Sequence, residues 1–190
     1  MERSIDDKTI LDKFVEDFTR IVERHCKYII VSGFVAIAHG RSRGTEDIDM
    51  ILEKITKDKF TYLHGDLVNG GFICIQSDNP MIIYDEYLKN GTSVRYTRGK
   101  EFFPPEMEIK LAKDELDDYQ LKTRVKLPFT GLDIWFSSIE MNIAFKEELL
   151  CTKKDFDDAK HLRIIYKDEI GEDKINEIKD KIKKLKMKNE

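Results

Sequence analysis

A chain of 190 residues, 41% hydrophobic and 37% charged with only 4 Pro and 10 Gly, is long enough to bury a core, and its balance excludes collagen-like, low-complexity and membrane-spanning classes. A net charge of −4 argues against a uniformly basic nucleic-acid binder, while leaving room for a local basic face. Three Cys supply no disulfide framework and residues 1–7 lack the apolar core of a signal peptide, so the expected setting is cytoplasmic, with no membrane.

Leu11, Phe14, Val15, Phe18, Ile21 and Val22 recur at helical spacing. Residues 28–31 are a short β-branched run that reads as a buried strand, broken by Ser32-Gly33, with a helix expected over 34–38. After the polar loop 41–44, Asp47 and Asp49 alternate with Ile48 and Met50, the signature of a strand. A helix over 57–68 ends at Asn69-Gly70-Gly71, a strand follows at 72–75, and 80–88 is ambiguous. Strands are expected at 94–96 and 107–111, then a helix over 114–122. Residues 125–127 and 132–136 flank Pro128-Phe129-Thr130-Gly131 as a hairpin. Ser137 and Glu140 have capping-box spacing for a helix to about residue 150, and Thr152 with Asp155 repeats the signal for one through about 166. Ile175, Ile178, Ile182 and Leu185 mark a last helix with seam-like spacing. The expectation is an α/β (α+β) fold: a mixed β-sheet with flanking helices over 1–136, and a C-terminal helical portion over 137–190.

Two residues apart on a strand, Asp47 and Asp49 project from one face. Adjacent carboxylates repel unless a proton or cation lies between them, and oxygen ligands at this spacing suit Mg²⁺. Upstream, a strand running into Ser32-Gly33 and then a helix start aims backbone N–H groups at a guest for which phosphate is favoured. A phosphate cradle beside paired carboxylates is what metal-assisted nucleotidyl transfer needs. Taken alone, Asp-x-Asp is more often a solvated strand face; the order Ser32-Gly33, Arg43-x-Thr45-x-Asp47-Ile48-Asp49 lowers that alternative.

This ordered set resembles the core signature of the DNA polymerase β-like nucleotidyltransferase superfamily, and is particularly similar to the AbiEii-type and related minimal nucleotidyltransferases. The resemblance is densest over 28–52. It departs at Ser32, where the family carries the first glycine of a pair, and at Phe34, where a small residue is usual. It implies a nucleoside triphosphate substrate, Mg²⁺ (or Mn²⁺) held by Asp47, Asp49 and a third carboxylate, and transfer of a nucleoside monophosphate to an acceptor hydroxyl. The implied acceptors are RNA, particularly a tRNA 3′ end, or a protein, with a toxin–antitoxin role and a cognate antitoxin as one setting. Ser32 and Gly33 would cradle phosphates; Arg43 would bind phosphate or brace its loop, which Thr45 would fix by a local hydrogen bond.

Glu108 and Asp133 compete for the third carboxylate, each on an alternating segment; Glu108 is favoured because the catalytic strand precedes the one that leads into the helix of Glu140 and Lys146, though the family usually carries Asp there. Lys146 either reaches the nucleotide phosphates or is an ordinary helix-surface lysine paired one turn away. Asp155 is read as a first-turn helix residue. Cys26, Cys74, Cys151 and Trp135 read as packing residues, and the four His show no zinc spacing. Lys179, Lys181, Lys183, Lys184, Lys186 and Lys188 make the last helix locally basic, a solvated face or a surface for RNA or an acidic partner. Two rival readings remain: an inactive nucleotide-binding relative, and an interaction module or homo-oligomer built on the C-terminal helices.

Overall fold

The computed structural model describes residues 9–42, 47–98 and 105–189. Arg43 and Thr45 lie outside the described residues.

Among the described residues, five strands form one mixed sheet: β1 (Tyr28–Val31), β2 (Asp47–Leu52), β3 (Phe72–Cys74), β4 (Val94–Arg98) and β5 (Glu106–Leu111), in the spatial order β1-β2-β5-β4-β3. β2 and β5 are parallel; the other neighbouring pairs are antiparallel. The parallel pair requires a long crossover, supplied by the β3–β4 antiparallel pair and its helices.

The helices that accompany the sheet are α1 (Ile10–Val22), α2 (Gly33–Ala38), α3 (Lys57–Asn69), α4 (Pro80–Ile82), α5 (Glu115–Lys122), α6 (Ile139–Phe145), α7 (Lys153–Ile165) and α8 (Glu172–Asn189). Both α4 and α6 run on into π-helical turns, at Ile83–Tyr87 and Lys146–Leu150. The ambiguous 80–88 stretch is therefore helical: Pro80 sits at its first turn, where a missing N–H costs nothing, and Asn79 caps it by accepting from the Met81 amide at 2.9 Å. α1 and α7 each open with a complete capping box, Thr9 with Asp12 and Thr152 with Asp155.

Alternation along the strands sorts the sheet into two faces. Tyr28, Ile30, Ile48, Met50, Met107, Ile109 and Tyr96 point to one side, all fully or almost fully buried, against α1 and α3 through Phe14, Phe18, Phe60 and Leu63. That apolar cluster continues through Phe34 and Phe136, whose rings stack at 6.5 Å, into Met141, Ile143, Leu162, Ile175, Ile178 and Ile182 of the C-terminal helices. The opposite face carries a small apolar patch of Ile29, Ile51, Ala112 and Leu121, with Val31 packed against it. Beyond the patch that face is polar.

Three expectations are corrected. Residues 125–127 and 132–136 do not form a hairpin: only Phe136 pairs, with Val125 on one side and, in parallel, with Ile30 on the other. The intervening chain makes a 3₁₀ turn at Pro128–Thr130, locked by the Thr130 hydroxyl donating to the Leu127 carbonyl at 2.7 Å, and Gly131 then takes positive φ (66°). The cap of α6 is Ser138, which accepts from the Met141 amide at 3.3 Å; Ser137 is diverted, its amide donating to Ile30 O and its hydroxyl to Gln120 Oε1 at 2.8 Å. Cys151 is exposed rather than packed, whereas Trp135 is half-buried and packs against the core as expected, with Arg124 over its ring and its indole N–H donating to Glu23 at 2.6 Å.

Candidate functional site

The polar face holds the acids. Strand register places Val31 opposite Asp49, Asp49 opposite Glu108, and Glu108 opposite Arg95, so one row crosses four strands. One pleat away, Asp47 lies opposite Glu106 and Glu106 opposite Thr97. β2 thus presents Asp47 and Asp49 on the same side, while Ile48 and Met50 enter the core.

β1 delivers the chain to Ser32, which has φ 65° and ψ −133°, a backbone conformation that normally calls for glycine. A non-glycine residue there stores on the order of 1–3 kcal/mol of strain. Its side chain shares the cleft with Asp49 and lowers that carboxyl's pKa. Gly33, fully buried, starts α2 directly after it.

A cleft of about 220 Å³ lies over this face, lined on the sheet side by Val31, Ser32, Asp49, Glu108 and Lys110. Its roof comes from Asp117 and Gln120 of α5, Asn142 and Phe145 of α6, and Lys146 at the start of the π turn. The structure therefore brings Ser32, Asp49, Glu108 and Lys146 into one space, with Asp47 beside them on the sheet. Asp133 is elsewhere: its side chain is 86% exposed, paired to Lys126, in a shallow depression beside Glu16 and Glu23.

The electrostatics follow from crowding. Burial raises the Asp49 pKa above the ordinary carboxylate value, with Glu108 and Asp47 adding to the rise against the lowering influence of the Ser32 hydroxyl and Lys110. Burial likewise raises the Asp117 pKa, opposed by the Lys113 backbone N–H that it accepts at 3.1 Å. Glu108 is held at both oxygens: the Ser93 hydroxyl donates to Oε1 at 2.7 Å and Arg95 Nε to Oε2 at 3.1 Å. The Arg95 guanidinium also lies 3.8 Å from Glu106 and 4.0 Å from Asp47.

Sequence pattern does not single out Ser93, Arg95 or Glu106. The alternation Val94-Arg95-Tyr96 does put Arg95 on the side away from Tyr96, but it does not say which strand lies alongside.

Lys146 is neither a surface residue nor open to the cleft as a loose cation. It is 1% exposed, and its Nζ donates to Asp158 Oδ2 at 2.9 Å with Asp155 at 3.8 Å. Asp158 is fully buried, and Arg41 Nε lies 3.0 Å from its other oxygen. The pair ties the π turn to α7, and through Arg41 to the chain leading into β2. Asp155 does cap α7, and in addition faces Lys146.

The C-terminal seam is used up within the chain. Ile175, Ile178 and Ile182 are at most 1% exposed and α8 packs on α6. Several of the lysines on α8 are paired with acids: Lys179 with Glu147, Lys181 with Glu177, and Lys183 with Glu148 and Asp180. These observations remove the apolar surface on which the interaction-module reading depended, and they neutralise much of the basic face.

For a divalent cation, the donor chemistry is suitable: hard carboxylate oxygens, at least one of them in an environment that disfavours an uncompensated negative charge. Among the described residues, no three acidic, His or Cys side chains close into a finished metal cage. Asp47 and Asp49 present carboxylates from one face of β2, while both Glu108 oxygens are taken, by Ser93 and Arg95.

No protein-family model and no curated protein matches the chain. Among solved structures, the chain is similar to the antibiotic-resistance factor ANT(2'')-Ia, whose solution structure was described as showing substrate-regulated conformation dynamics. The match has a TM-score of 0.54 at 14% identity and covers 93% of this chain and 92% of that one. The likeness is one of fold: a mixed sheet with flanking helices. Among the described residues, no helix is long and apolar enough to cross a membrane.

Proposed function

We propose that this chain is a metal-dependent nucleotidyltransferase, which moves a nucleoside monophosphate from a nucleoside triphosphate to an acceptor hydroxyl and releases pyrophosphate. The observation that carries the reading is the placement of Ser32, Asp49 and Glu108 in one cleft: a strand-to-helix turn in a glycine-like conformation opens beside an acid that faces Glu108 across a parallel strand pair. The shared fold with ANT(2'')-Ia, a nucleotidyltransferase, supports the class of reaction.

In this reading Asp47 and Asp49 hold Mg²⁺ or Mn²⁺, with Glu108 as third carboxylate. The ion supplies neutralisation of the triphosphate and of the leaving oxygen. The backbone N–H groups at Ser32 and Gly33 would cradle the β- and γ-phosphates, and Arg43 and Thr45, outside the described residues, keep the phosphate-binding and loop-bracing roles that the resemblance implies. Glu108 would accept the proton of the attacking hydroxyl. Lys146 acts through position, fixing the cleft roof by its bond to Asp158. RNA, a tRNA 3′ end or a protein hydroxyl is the proposed acceptor class, and a toxin with a cognate antitoxin the proposed setting. The charge pairing along α8 weakens the case for a large RNA held by that helix.

Incubation with each labelled nucleoside triphosphate, Mg²⁺ and total lysate should label one acceptor class, and Asp47→Asn/Asp49→Asn should abolish the label at unchanged circular dichroism. Label transfer that survives in the double variant would refute the assignment.

A further inference from the structure

Arg95 is the cation ion-paired to the acid row, with Lys110 a second positive charge lining the cleft. Its guanidinium reaches three carboxylates, Glu108 at 3.1 Å, Glu106 at 3.8 Å and Asp47 at 4.0 Å. Its backbone is fixed: the Arg95 amide donates to Gln76 Oε1 at 2.9 Å, and its carbonyl accepts from the Ile75 amide at 2.8 Å. Its side chain is 45% exposed, so the head group is free to move on a fixed stem. Glu108 meanwhile has both oxygens occupied, by Ser93 and by Arg95 itself.

A guanidinium and a divalent ion compete for the same oxygens, and they repel one another when both are close. A guanidinium fork also matches phosphate oxygens as well as it matches carboxylates. We propose that Arg95 is an exchangeable counter-cation, which holds Glu108 and its acid neighbours together before metal is bound and passes to the triphosphate when the metal-bound substrate enters. Arg95 then opposes metal alone and favours metal with polyphosphate. The inference rests on the metal-dependent reading of Asp47 and Asp49 given above.

The test is a pair of calorimetric titrations on the full chain, with Mn²⁺ alone and with Mn²⁺–tripolyphosphate, which carries no base preference. Arg95→Met should bind Mn²⁺ about tenfold more tightly than the parent, because the ion no longer has to displace a guanidinium from Glu108. It should bind Mn²⁺–tripolyphosphate about tenfold more weakly, as expected when one charge-assisted hydrogen bond to phosphate is missing. Arg95→Lys should recover part of the polyphosphate affinity, because it restores charge without the fork. An arginine that merely braces the sheet would move both affinities in one direction or neither, and either result overturns the proposal. Asp47→Asn/Asp49→Asn is the reference. If it still binds Mn²⁺ as the parent does, the metal site itself is wrong. If it loses Mn²⁺ while Arg95→Met leaves Mn²⁺ affinity unchanged, the metal reading stands and the role given to Arg95 fails.

Discussion

The two faces of the sheet are made by the same strands and differ by a single step along each. Ile48, Met107 and Tyr96 face the core and are wholly buried; their neighbours Asp49, Glu108 and Arg95 face the cleft and form a row of charge. On the first face, aromatic packing dominates: the Phe18 ring lies 4.9 Å from Phe72 and 5.7 Å from Tyr96, edge to face. On the second, like charges are pressed together and the Asp49 pKa is raised by burial and by its acid neighbours. One face stabilises the fold and the other draws on that stability.

The largest expected effect is the contrast between one substitution on each side. Phe18→Ala should cost about 4 kcal/mol by lost transfer energy and the cavity left behind. Asp49→Asn, similar in size to the native residue, should cost nothing or add about 1 kcal/mol, because it removes an electrostatically crowded, desolvated charge. Urea unfolding with an unchanged slope measures both. An Asp49→Asn variant as destabilised as Phe18→Ala would break the comparison, because it would make the acid row a structural device.

Next in size is the roof of the cleft. Lys146→Met keeps the apolar stem and removes the ammonium, leaving the buried Asp158 carboxylate with the Arg41 guanidinium still beside it. Loss of one partner of a buried pair is expected to cost about 3 kcal/mol, at the low end because Arg41 persists. Lys146→Met/Asp158→Leu should recover much of it. A pair that proves dispensable alone would mean that the roof, like the core side, is held by apolar packing.

How much of this is legible in the sequence depends on the range of the interaction. Asp47 and Asp49 on one face follow from period two alone, and α7's capping box from three-residue spacing. Both are local facts. Choosing Glu108 over Asp133 as the acid beside Asp49 needs the register of a parallel pair whose strands are joined by a long crossover, which periodicity does not encode. Arg95 is invisible for the same reason: β4 pairs with β5 on the side away from β2. The expected hairpin at 132–136 fails because apolar alternation cannot distinguish a strand from an extended segment with one bridging residue, Phe136, held between Ile30 and Val125. At α6, adjacent serines both have cap chemistry, and tertiary bonds to Ile30 and Gln120 claim the first.

The smallest effect concerns the point where the two faces meet, the turn at residue 32. Ser32 holds φ at 65° beside Asp49, whose carboxyl pKa its hydroxyl lowers. Ser32→Gly relieves the strain but removes the hydroxyl's favourable influence on Asp49 and adds freedom to the unfolded chain, so the terms largely cancel and stability should rise by about 0.5 kcal/mol or less. Ser32→Ala keeps the strain and removes the hydroxyl's favourable influence on Asp49, and should cost about 1 kcal/mol or less. The signs are therefore opposite for two substitutions that remove the same hydroxyl. Thermal unfolding of both variants reads the difference directly. Equal losses would mean that the hydroxyl, rather than the backbone conformation, sets the cost of this turn, and that a serine is held there for its influence on the acid row.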